Sequence, residues 1–141
     1  MAKKTLSFGI NFVAIIAVLV LVPAALAGKG NGGGKGNDPS VINLVVLDSS
    51  DGVPHWGNHV TFDVSTTATD QPYVTVDCYQ NGVWVMTGTR GFYPDYLWGQ
   101  TFALSSAGWT GGAADCNARL FTVAANGKST TLATTSFHVY A

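Results

Sequence analysis

The chain has 141 residues, seven Lys and Arg against eight Asp and Glu, and a formal net charge of −1. With its basic residues scattered, that balance excludes the electrostatic footprint of a nucleic-acid binder, and it falls well short of halophile-like acidity. Only 11% of the residues are charged while Thr, Ser, Val and Gly abound, which fits a secreted β protein whose surface is made of hydroxyls and turns.

Residues 1–27 read as a secretory signal peptide: Lys3 and Lys4 supply a positive start, residues 12–22 an apolar core, and Ala25, Leu26 and Ala27 a small-residue cleavage site before Gly28. The competing reading is a retained anchor, because residues 6–27 are long enough to cross a bilayer core of about 30 Å. Pro23 and the small residues after it favour cleavage, and contact with a membrane is expected only if the segment stays. The chain left after cleavage would carry a charge of about −3, all of its acidic residues being Asp. Residues 28–37, GKGNGGGKGN, hold no side chain able to bury much apolar area, so they read as a flexible spacer with a root-mean-square length of roughly 16 to 19 Å. An alternative use of the spacer is attachment of Lys29 and Lys35 to an anionic wall or membrane. Asp38, Pro39 and Ser40 close this linker, taken as residues 28–40, and a domain is expected over residues 41–141.

From Val41 onward the hydrophobic period becomes two. Strands are predicted over residues 41–48, 59–68, 73–80, 83–89, 101–105, 113–123 and 131–140. In the second, Val60, Phe62 and Val64 alternate with Thr61, Asp63 and Ser65, so one face is wet. Asn81-Gly82 joins the third and fourth strands, a dipeptide that tolerates positive φ at both central positions of a type I′ turn. Asn126-Gly127 turns between the last two.

Seven strands in about 100 residues is the size of an immunoglobulin-like sandwich. With the segments CYQNG at 78–82 and GGAADCNA at 111–118, residues 41–141 resemble the immunoglobulin-like and fibronectin type III-like modules of secreted bacterial proteins. The fold class the resemblance implies is all-β: a seven-stranded immunoglobulin-like antiparallel sandwich with one disulfide. It implies a habit of binding or spacing and no reaction. In the fibronectin-like strand order the third and sixth strands are neighbours, so Cys78 and Cys116 would staple adjacent strands, unlike the inter-sheet bond of antibody domains. The phases agree, because Val74, Val76 and Cys78 share one face and Ala114, Cys116, Ala118 and Leu120 another. An exported chain makes oxidation the default, and two thiols alone make a poor metal site.

With Cys116 inward, Asp115, Asn117, Arg119 and Phe121 point out, as do Tyr73, Thr75, Asp77 and Tyr79. A two-residue turn pairs Tyr79 with Trp84 and Asp77 with Met86. Phe137 and Val139 belong to the core, leaving His138 and Tyr140 outward. This aromatic outer face, with Tyr79, Trp84, Met86 and Phe121 at its centre, is either a partner or weak self-association surface, or cross-strand pairing that only steadies the sheet. A second aromatic group lies in residues 91–100, GFYPDYLWGQ. Tyr93, Tyr96 and Trp98 are candidate ligand-binding residues at a pole of the sandwich, where such folds recognise ligands; the alternative is that Tyr93 or Trp98 folds down as a plug beside Leu97.

His55 and His59, with Asp51 nearby, invite a metal reading, but four-residue spacing gathers imidazoles on a helix and this segment is turn-rich, so no metal or other cofactor is expected. Trp56 and Trp109 are expected to close that end of the core. There is no G-x-S-x-G, HExxH or Walker sequence, and no Glu, so the expectation is a non-enzyme. The expected function is a secreted or cell-surface module with a structural, adhesion or protein-interaction role at the cell envelope. The alternative is a carbohydrate-binding module using the loop aromatics on an envelope glycan.

Overall fold

The computed structural model describes residues 39–141; the expected signal segment and the glycine tract lie outside the described residues. The described chain is all β, with seven strands: β1 (Val41–Val46), β2 (His59–Ser65), β3 (Tyr73–Gln80), β4 (Val83–Gly91), β5 (Phe102–Ala103), β6 (Ala114–Val123) and β7 (Ser129–Val139). None of its elements is a helix long and apolar enough to cross a membrane. All strand pairings are antiparallel, in a three-stranded sheet of order β1-β2-β5 and a four-stranded sheet of order β4-β3-β6-β7.

The inner faces meet in one core, to which β1, β2 and β5 bring Ile42, Val60, Phe62 and Phe102, while β3 and β6 bring Val74, Val76, Ala118 and Leu120. Several of these side chains are wholly buried, and burial of an aliphatic side chain of this size stabilises by about 1.5–3 kcal/mol. Cys78 and Cys116 stand directly opposite each other on β3 and β6, bonded, with their Cα atoms 4.1 Å apart. In the chain-entropy account this cross-link stabilises by about 4 kcal/mol, and it belongs to a non-reducing environment.

At the β3–β4 hairpin Asn81 and Gly82 both have positive φ, 49° and 78°, as a type I′ turn requires. Gln80 faces Val83 and Tyr79 faces Trp84. The expected partnership of Asp77 with Met86 is incorrect. A β-bulge lies between the Cys78 and Tyr79 positions: Cys78 faces Met86 and Asp77 faces Thr87, so Val85 is an extra residue on β4. Beyond the bulge the phase of β4 is inverted, and Met86 is buried in the core at 7% exposure instead of lying on the outer face.

A second bulge lies between β6 and β7, where Leu120 faces Ala133 and Phe121 faces Thr131, leaving Leu132 extra. Leu132, Ala133 and Phe137 pack against the core and Val139 lies within it. The β6–β7 connection is longer than a two-residue turn. It is closed by backbone bonds from Ala124 N–H to Lys128 and from Gly127 N–H to Ala124, with Gly127 alone at positive φ, 82°.

Candidate functional site

The two ends of the sandwich carry different chemistry. At one end β4 runs out at Gly91 and the chain crosses to β5 through residues 92–101. Phe92 turns inward. Its N–H bonds the Pro72 carbonyl at 2.8 Å, and its ring lies 6.4 Å from Phe102 and 6.3 Å from Phe62, packed against the core. Phe92 is thus the plug of this loop, and Tyr93 and Trp98 are not.

The remaining rings form a continuous ladder, each edge-on to the next. Tyr73 and Tyr93 are 5.7 Å apart, Tyr93 and Tyr96 5.4 Å, and Tyr96 and Trp98 5.4 Å, within the range of favourable edge-to-face pairs. Tyr73 also stacks on Phe121 at 5.8 Å, and the Arg119 guanidinium lies 4.4 Å above the Phe121 ring. The Tyr73 and Tyr93 hydroxyls share a hydrogen bond at 3.3 Å. That bond, aided by burial, pushes the Tyr93 phenol up to about 12. The sequence therefore foresaw the grouping of Tyr93, Tyr96 and Trp98 but missed Tyr73, the β3 residue that anchors the row.

Gly91 explains how the row is seated. A Cβ built there would come within 2.5 Å of the Tyr93 ring and 2.4 Å of the Tyr96 ring, so both tyrosines rest on bare backbone. Beyond them the apolar surface is open: Leu97 is 87% and Trp98 68% exposed. Two depressions share the Tyr96 and Trp98 rings as a wall. One, of about 610 Å³, is completed by Phe92, Tyr93, Pro94 and Gln100. The other, of about 480 Å³, is completed by Arg90, Gly99 and Thr101.

Arg90 is a site residue that sequence reasoning passed over, and the bulge at Val85 is what brings it there. Strict alternation from outward Trp84 would send residue 90 outward. The inverted phase turns it to the Phe102 side, with its guanidinium 5.6 Å from that ring's centroid. The polar pair Thr87 and Thr89, facing Asp77 and Thr75 on the outer face, was the sequence signal of that inversion.

On the outer sheet face the expected surface shrinks. Met86 is in the core, and Phe121, though in the outward phase, is 8% exposed because Tyr73 and Arg119 cover it. Tyr79 remains half-buried and Trp84 is exposed, its indole N–H directed at Asp77 Oδ1 at 3.4 Å.

The other end of the sandwich is closed by bonded groups. Trp109 is wholly buried, its indole N–H donating to the Gly112 carbonyl at 3.0 Å. Gly112, at φ 84°, and Gly111 let the chain curl to meet it, while Gln80 Nε2 donates to the carbonyls of Gly111 and Ala113. The Trp56 indole donates to the Trp109 carbonyl at 3.0 Å, and 40% of Trp56 remains exposed, so it lids the core only in part.

Each histidine is paired with an aspartate. His59 Nδ1 lies 2.8 Å from Asp48 Oδ2, His55 Nε2 2.9 Å from Asp51 Oδ2, and His138 Nδ1 2.7 Å from Asp115 Oδ1. His55 and His59 thus turn to different carboxylates. No group of three metal-ligating side chains is found among the described residues. The hydrogen bond from Ser49, with that from His55, holds the Asp51 carboxyl well below the usual carboxylate range. The bond to Asp51 raises His55, and the bonds to His59 lower Asp48. The Asp48–His59 and Asp51–His55 pairs fasten the β1–β2 connection, whose end is also tied to the C-terminal strand by Trp56 N–H to Tyr140 and Tyr140 N–H to Pro54, while Asp115–His138 joins β6 to β7.

No family model, no curated protein and no solved structure matches this chain.

Proposed function

We propose that the chain is an exported, non-catalytic binding module of the immunoglobulin-like or fibronectin type III-like kind that holds a cell-envelope glycan at its aromatic pole. The strand orders β1-β2-β5 and β4-β3-β6-β7 support the fold reading, and the disulfide supports export. The three His–Asp pairs tie backbone segments together at exposed sites, a structural use of residues that could otherwise serve catalysis.

One observation carries the ligand reading. Of the four tryptophans, Trp56, Trp84 and Trp109 direct their indole N–H at a protein acceptor, whereas Trp98 has no such partner among the described residues and is 68% exposed. An indole with a free donor and an open face, braced from behind by a row of rings, is suited to a sugar, whose C–H face stacks on the ring and whose hydroxyls take the donor. The adhesion reading through the outer sheet face is weaker, since Met86 and Phe121 are covered.

The test is affinity electrophoresis of the oxidised domain through gels containing soluble acidic and neutral polysaccharides, beside Trp98→Ala and Trp84→Ala. The expected result is retardation by at least one polysaccharide, lost in Trp98→Ala at unchanged melting temperature and kept in Trp84→Ala. Migration unaffected by every polysaccharide, or retention surviving in Trp98→Ala, would overturn the proposal.

A further inference from the structure

The depression beside Arg90 carries the identity of the ligand further. We infer that the aromatic pole selects an acidic glycan, with a uronate-type carboxylate on Arg90 and neighbouring sugars lying to either side of the Trp98–Tyr96 wall. The inference rests on the glycan reading above and adds charge and subsites to it.

Three observations support it. Among the described residues, Arg90 is the one cation lining either depression against Trp98, and it lines the smaller. The other cations among the described residues are used or placed elsewhere: Arg119 covers Phe121 and donates to Thr131 Oγ1, and Lys128 sits in the β6–β7 connection. Second, the ion pairs among the described residues all involve histidine, so Arg90 has no carboxylate partner there. One guanidinium nitrogen donates to the Thr89 carbonyl at 2.9 Å and the plane rests over Phe102. The group is held in place with the rest of its donor fork unspent, which suits bidentate capture of a carboxylate. Asp95, on the same loop, lines neither depression against Trp98.

Third, the polar groups are divided by the wall. Gln100 and Tyr93 lie on one side, Arg90 and Thr101 on the other. An oligomer with one sugar in each depression would engage both sets, whereas a single sugar would engage one. A free acidic monosaccharide is therefore a poorer ligand than an oligomer.

The experiment is titration of the full oxidised domain with tetragalacturonate, galacturonate and a neutral tetrasaccharide, cellotetraose, at low salt. Binding of tetragalacturonate at least about tenfold tighter than of either other sugar, weakened by added salt, is the expected result. Arg90→Gln should reduce the preference over cellotetraose to near unity, and Arg90→Lys should keep part of it. Equal or tighter binding of cellotetraose, with Trp98 still required, would overturn the acidic assignment and leave the glycan reading intact. A preference unchanged in Arg90→Gln would remove Arg90 from the site. Binding of galacturonate as tightly as the tetramer would remove the straddling arrangement. Failure of every sugar to bind would overturn both readings.

Discussion

The two ends of this sandwich use the same residue types to opposite ends. Around Trp109 the rings and hydrogen-bonding groups are directed inward or at each other: the indole finds Gly112, Trp56 finds the Trp109 carbonyl, and His55 and His59 find aspartates. Around Trp98 the rings brace each other from behind, while the foremost indole and most of the Arg90 guanidinium have no acceptor among the described residues. An aromatic or a histidine is therefore informative about function only once its partners are counted. The pole richest in apparent metal ligands is the one already satisfied.

Substitutions that break this contrast should differ most at the tryptophans. Trp109→Ala removes a wholly buried ring and orphans the Gly112 carbonyl, so a loss of about 3–5 kcal/mol is expected in chemical denaturation. Trp98→Ala, at a largely exposed ring, should stay within about 0.5 kcal/mol of wild type while losing ligand. Replacing both cysteines by alanine falls between these, at about 2–4 kcal/mol, in an equally non-reducing buffer. Gly91→Ala should force Tyr93 and Tyr96 off their seat, costing about 1–3 kcal/mol and weakening binding together. That joint loss would separate a seat for the ladder from a mere spacer.

The smallest effect belongs to the His55–Asp51 pair, and its sign follows from the shifts. His55 is raised above 6.5, so its contribution is complete below that pH and is lost as pH rises through the folded value. Asp51 is lowered from 3.8, so its contribution is present above that pH and is lost only as pH falls through the depressed value. Denaturation midpoints of wild type and His55→Gln should accordingly differ more at pH 5 than at pH 8, by little, since both side chains are exposed.

Much of the scaffold was legible because its signals are local. Period-two alternation marked the seven strands, and Asn81-Gly82 marked the hairpin with both residues at positive φ. The inward phase of Cys78 and Cys116 also carried through to a direct cross-strand pair. The face of β4 beyond its bulge was misread, because an extra residue on one strand inverts every later side chain without altering composition or turn. Met86 lies inward for that reason, and Arg90 shares its phase, although the polar Thr87 and Thr89 already hinted at it. Phe121 was assigned the right direction and the wrong exposure, since its cover, Tyr73 and Arg119, comes from tertiary neighbours. The ladder from Tyr73 to Trp98 was half legible: three of its rings are close in sequence, and the fourth is brought by β3.

The proposal sets Trp98 apart from the other tryptophans as the one that faces a ligand. The most direct measurement is the set of four indole N–H resonances in a 15N-labelled, oxidised domain, followed as tetragalacturonate is added. A progressive shift of the Trp98 resonance is expected, with those of Trp56 and Trp109 unmoved, and a smaller Trp98 shift in Arg90→Gln at the same sugar concentration. A Trp98 resonance that stays fixed while Trp56 or Trp84 moves would contradict it.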